Sequence, residues 1–136
     1  MKIKGMMTIL LGLSLIFVSC SKKGESELRA LINEMHDELI EYKKNMVRAV
    51  NAKEVADEII RHNRKLIKFA DALKQLGEKY PELNDEKYVE KYLNLTLIEE
   101  VYMEINPIRE KYMGEPEVQE AYQKLNEEAS LKDSGG

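Results

Sequence analysis

Apolar side chains in this chain return in alternating steps of four and three. Leu28, Ile32, Met35, Leu39, Tyr42, Met46 and Ala49 make one such series, and Val55, Ile59, His62, Leu66, Phe69, Leu73, Leu76 and Tyr80 make a second. A strand would need a period of two; this spacing instead lays each series along one stripe of a helix. Neither stripe can bury itself alone, so helices have to share a core. The expectation is an all-α fold, an antiparallel three- or four-helix bundle with a long N-terminal helical hairpin, over residues 26–131. No tandem repeat of 20 to 50 residues is present.

The hairpin rests on Asn51-Ala52-Lys53-Glu54, which has the form of a capping box: Asn at the cap, Glu three residues on. The first helix is expected from about Ser26 to Val50, with Ser26 as its cap, and the second to Lys79, because Tyr80 precedes Pro81. The alternative is one continuous helix, since neither Gly nor Pro falls between Ser26 and Leu76. Charge favours the fold-back. A turn at Asn51 brings Glu34, Asp37, Glu38 and Glu41 level with Arg61, Arg64, Lys65 and Lys68. Exposed pairs of this kind contribute only about 0.2–1 kcal/mol each, enough to bias the register.

A third helix is expected from Asn84 or Asp85 to about Ile105. Its apolar residues, from Val89 to Ile105, cover more than one stripe, which suggests the most buried helix of the set. Asn106-Pro107 should end or kink it, and Gly114 and Pro116 repeat the punctuation. Val118, Tyr122, Leu125 and Ala129 form a short fourth stripe. Residues 132–136 read as a disordered tail.

Chemistry is sparse. Lys+Arg 21 against Asp+Glu 25 gives a net charge of -4, which disfavours nucleic acid as a partner. One Cys excludes a disulfide framework and any zinc site built from several Cys. Gly-x-Ser-x-Gly, Gly-rich phosphate loops and Glu-x-x-His pairs are all missing from the sequence, so no catalytic residue, metal ligand or cofactor is assigned and the chain reads as non-enzymatic. Glu58 and His62, four apart, could form one side of a metal site. The neighbouring Ile59 and Leu66 instead mark His62 as a core histidine with a polar partner. Haem held between His62 and Met46 or Met35 is the minority reading, with His36 offset by about 7.5 Å along the hairpin. Tyr88, Tyr92, Tyr102 and Tyr112 fall beside the apolar row of the third helix, where they either extend hydroxyls to solvent or line a partner groove.

The N-terminus differs from the rest. Lys2 and Lys4 precede an uncharged run from Met6 to Val18, thirteen residues or about 20 Å of helix, short of a bilayer core of roughly 30 Å. That is the layout of a targeting segment. It ends in Phe17-Val18-Ser19-Cys20, which resembles the lipobox of bacterial lipoproteins. The resemblance implies a signal peptide, 1–19, removed before Cys20, and lipidation of Cys20 with two or more acyl chains such as palmitate. Two chains hold a protein stably at a membrane without spanning it. Residues 20–25 would then be the lipidated Cys and a short tether of at most about 18 Å, with Lys22 and Lys23 near anionic headgroups. Loss of Lys2 and Lys4 leaves 19 basic residues against 25 acidic, a charge of -6. Ser21 after the Cys resembles the outer-membrane sorting pattern, which places the body outside the cytoplasm, in the periplasm or at the cell surface. Further on, Tyr80-Pro81-Glu82-Leu83 and Gly114-Glu115-Pro116-Glu117-Val118-Gln119 resemble a pattern of small helical lipoproteins that carries no activity of its own.

The expected role is therefore an envelope binding or interaction module, partnered by an envelope or host protein and by the membrane through Cys20. The alternative is a carrier of a small ligand, haem or a lipid, in an interhelical cavity. Oligomeric state is not specified by the sequence.

Overall fold

In a computed structural model of the chain, residues 2–134 are described, with side chains from 22 to 133. The side chains of the expected signal segment and of Cys20 lie outside the described residues, as do Gly135 and Gly136 of the expected tail. The fold is an all-α helical bundle. Its elements are α1 (Lys2–Arg48), α2 (Ala52–Lys79), a 3-10 turn (Pro81–Asn84), α3 (Glu86–Tyr92), α4 (Leu95–Tyr112) and α5 (Pro116–Ser134). Among the described residues no helix is long and apolar enough to cross a membrane.

The capping box forms at Asn51 and ends the continuous-helix alternative. The Glu54 amide donates to Asn51 Oδ1 at 2.9 Å, and Glu54 Oε2 accepts from the Val50 amide at 2.8 Å. The return bond thus reaches one residue further back than in the standard box. Helix α2 stops where Tyr80 adopts φ -128, ψ 82 ahead of Pro81, a consequence of the pyrrolidine ring crowding the preceding residue.

Four expectations are corrected beyond this point. The expected third helix is two, α3 and α4, separated at Leu93-Asn94, because Asn94 turns its side chain back to accept the Leu97 amide at 3.1 Å. Such a local bond competes with helix continuation and makes Asn a strong N-cap. The stretch is also not the most buried one: α3 buries no residue, and α4 buries Val101 and Ile105. Pro107 neither ends nor starts a helix but lies inside α4, which runs on to Tyr112. The Met103 carbonyl four residues earlier thereby loses its helical donor. At the C-terminus α5 continues to Ser134, past the point where the helical body was expected to stop.

The chain forms two compact units, one of Met1–Asn33 with Asp71–Leu93, the other of Glu34–Ala70 with Asn94–Gly136. The single core expected for 26–131 is thus two. In the first unit Leu28, Ile32, Tyr80 and Leu83 are buried, with Leu73, Leu76, Tyr88, Val89, Tyr92 and Leu93 packed on them. Ser26 is not the N-cap it was expected to be: it lies inside α1, which reaches this core before that position. Gly24 is buried there, and a Cβ on it would lie 2.9 Å from Tyr80 Cγ and 3.0 Å from Leu83 Cδ1, so only glycine fits beside the tyrosine ring. Glu25 is fixed as well, accepting from the Tyr92 hydroxyl at 2.6 Å and from Lys91 Nζ at 3.2 Å.

In the second unit four helical segments contribute to one core: Leu39, Tyr42 and Met46 of α1, Val55, Ala56 and Ile59 of α2, Val101 and Ile105 of α4, and Val118 and Ala121 of α5. Pro116 begins α5, where a missing amide proton costs nothing. This unit is a four-helix bundle, and it contains the polar residues of interest.

Candidate functional site

Glu38 on α1 and Glu58 and His62 on α2 are buried, at 4%, 8% and 2% exposure. Arg61 joins them. Its Nη1 donates to Glu38 Oε2 at 2.9 Å, Nη2 lies 2.8 Å from Glu38 Oε1, and Nε donates to both oxygens of Glu58 at 3.0 Å. Asn45 Nδ2 completes the Glu58 shell at 3.2 Å. The register places these groups together. Asn45 and Glu58 lie nearer the Asn51 turn, and Glu38 meets Arg61 and His62 further along the same antiparallel pair.

His62 Nδ1 lies 3.2 Å from Glu38 Oε1, and the Tyr42 ring stacks on the imidazole with centroids 3.7 Å apart and planes 4° from parallel. Burial pushes the imidazole pKa down, against the opposing pull of the Glu38 carboxylate. The ring is therefore neutral at pH 7, with its proton on the nitrogen that faces a carboxylate. Nε2 then carries the lone pair, and it is buried without a hydrogen-bond partner. Burial raises the pKa of Glu38, but hydrogen bonds from Arg61 and His62 overcome it and hold the carboxyl below its ordinary range. Tyr42 is pushed well up by burial, so its phenol stays protonated.

A neutral imidazole oriented by a carboxylate is the form in which His acts as a base or a metal ligand. Here the ring is closed over by Tyr42 and by the core. Glu58, expected as a possible companion of His62, instead binds Arg61 and Asn45. No group of three His, Cys, Asp or Glu able to hold a metal occurs among the described residues. His36 is engaged elsewhere, its Nε2 accepting the Asn94 amide at 3.1 Å at the start of α4.

Of the expected acidic and basic stripes only Glu38 and Arg61 pair as drawn, and the pair is buried on its acidic side instead of exposed. Arg64 turns to Glu128 of α5 at 2.8 Å. The four tyrosines do not form one face: Tyr88 and Tyr92 belong to the first unit, Tyr102 and Tyr112 to the second. All four are half-buried, and the Tyr92 hydroxyl is spent on Glu25.

Surface clefts occur in both units. Leu73, Leu76, Leu83 and Val89 line an apolar one in the first unit. In the second, Met113, Tyr122 and Leu131 border a wide, open groove along α5 whose remaining lining is mostly uncharged, with Gln119, Gln123 and Asn126. A third cleft, between α2 and α5, is bordered by Arg61, Arg64, Lys65, Lys68 and Lys124. No protein-family model, curated protein or solved structure matches the chain.

Proposed function

We propose that the chain is a lipid-anchored bacterial envelope protein, attached through acyl chains on Cys20 with the outer membrane favoured, whose acidic helical domain is a non-enzymatic interaction module for an envelope or host protein. The observation that carries this reading is the N-terminal pattern: two lysines, thirteen uncharged residues, and the chain's one Cys placed directly after Val18-Ser19. The absence of nucleophile, phosphate-loop and clustered-metal motifs from the sequence supports the non-enzymatic part.

Cells fed labelled palmitate are expected to yield a labelled protein that sediments with membranes, whereas the Cys20→Ala variant should be unlabelled and either soluble or unprocessed. Wild-type protein that stays unlabelled, or whose mass does not change when signal peptidase II is inhibited, would overturn the anchor.

A second reading, a carrier of haem or a lipid between helices, is favoured by one observation, the partnerless Nε2 of His62. Haem titration tests it: a Soret shift lost in His62→Ala supports the carrier, and a spectrum equal to free haem removes it.

A further inference from the structure

We infer that the α2–α5 cleft of the second unit is a binding site for phosphate-bearing anions. The chain as a whole is acidic, with a net charge of -4, yet this cleft of about 460 Å3 is bordered by five cations and a single carboxylate. That volume lies within the range of small-molecule sites. Residues 61 to 68 of α2 supply Arg61, Arg64, Lys65 and Lys68 with no acid among them, and α5 supplies Lys124 from across the cleft.

What the neighbouring acids do strengthens the case. Asp57, the one carboxylate on the rim, is already bound by Lys53 at 2.8 Å. Arg61 is held by Glu38 and Glu58 behind it, so its guanidinium is fixed in place and its charge is balanced from the core side. Arg64 has an exposed partner, Glu128, in a contact that water and salt weaken. Lys65, Lys68 and Lys124 have no ion-pair partner among the described residues. Three exposed ammonium groups without an ion pair, of which Lys124 has Glu128 in its electrostatic neighbourhood, thus line one concave surface with Arg64 beside them, and Ile60 gives it an apolar patch. Cations gathered on one concave surface raise the local positive potential and attract anions, and phosphoryl oxygens match lysine and arginine donors in charge and geometry.

Phosphate groups of this kind occur both in small soluble anions and in the headgroups of anionic phospholipids. The two are separated by titrating full-length protein in nonionic detergent with inorganic pyrophosphate and, separately, with glycerophosphoglycerol, a soluble phosphodiester headgroup. Binding is followed by calorimetry at low and at high salt. Saturable binding of either probe is expected, weakening with salt, and falling by about tenfold or more in Lys65→Gln/Lys68→Gln/Lys124→Gln. The probe that binds tells which source is meant. All three lysines are exposed, so the variant should keep the wild-type circular dichroism spectrum. A control, Arg29→Gln/Lys44→Gln, lowers charge elsewhere and should leave the affinity unchanged. Absence of saturable binding for both probes up to about 10 mM would overturn the assignment. So would equal weakening in the control and the lysine variant, because binding would then follow net charge and not this cleft.

Discussion

Glu38 is the residue on which the buried polar group depends. It accepts from Arg61 with both oxygens and faces the His62 ring nitrogen, and among the described residues no other carboxylate is bonded to that imidazole. Glu38→Ala leaves a guanidinium half-paired and a buried ring N–H with no acceptor. The expected loss of stability is near the lower end of the ~3–5 kcal/mol found when one partner of a buried pair is removed, because Arg61 still reaches solvent and keeps Glu58. Glu128→Ala, which breaks the exposed pair with Arg64, should leave the urea midpoint unchanged within error. Equal effects from the two variants would show that burial adds nothing to the Glu38 contact. The sequence displayed much of this. The stripe put Tyr42 and His62 on the core side, and the fold-back put Glu38 level with Arg61. Burial of Glu38 was not legible, because a glutamate one position before Leu39 reads as the edge of a solvated face until its partners on the other helix are known.

At the scale of helices, caps decided where the sequence could be read. Asn51 was legible because its box partner Glu54 stands three residues on and an apolar stripe resumes at Val55. Asn51→Ala should cost about 0.5–2 kcal/mol, the usual loss for a capping side chain. Thermal or urea denaturation measures it, and a wild-type curve would mean that the Glu54–Val50 bond suffices to start α2. Asn94 caps in the same way but was hidden. Val89, Leu93 and Leu97 keep a four-residue spacing straight through the break, and no Glu or Gln follows three residues after Asn94. Pro107 misled in the opposite direction. Proline usually marks an end, yet here Met103, whose carbonyl finds no donor in Pro107, lies on the exposed side of α4, and the helix continues.

For the molecule as a whole, two cores replace one, and periodicity alone could not reveal it. A stripe reports which face of a helix is apolar and says nothing about which partners cover each stretch. The buried groups also give stability a stated pH dependence. His62 has a folded pKa below its ordinary 6.5, so the unfolded chain takes up that proton first, and stability should begin to fall as pH drops below about 6.5. Glu38 has a folded pKa below the ordinary 4.5; its contribution is complete above about 4.5 and is lost as pH falls through the folded value. Urea midpoints measured from pH 8 to pH 3 should therefore decline in two stages, the first missing in His62→Gln. A flat profile between pH 7 and pH 5 would show that His62 titrates alike in both states.

Gly24, wedged against the Tyr80 ring, also determines how much slack a fatty anchor would leave. From Cys20 only Ser21, Lys22 and Lys23 precede the wedge, about 5 Å of helix or roughly 10 Å if drawn out. With such an anchor in place, a body on so short a leash could not lean far from the lipid surface, and whatever it met would have to arrive at that surface.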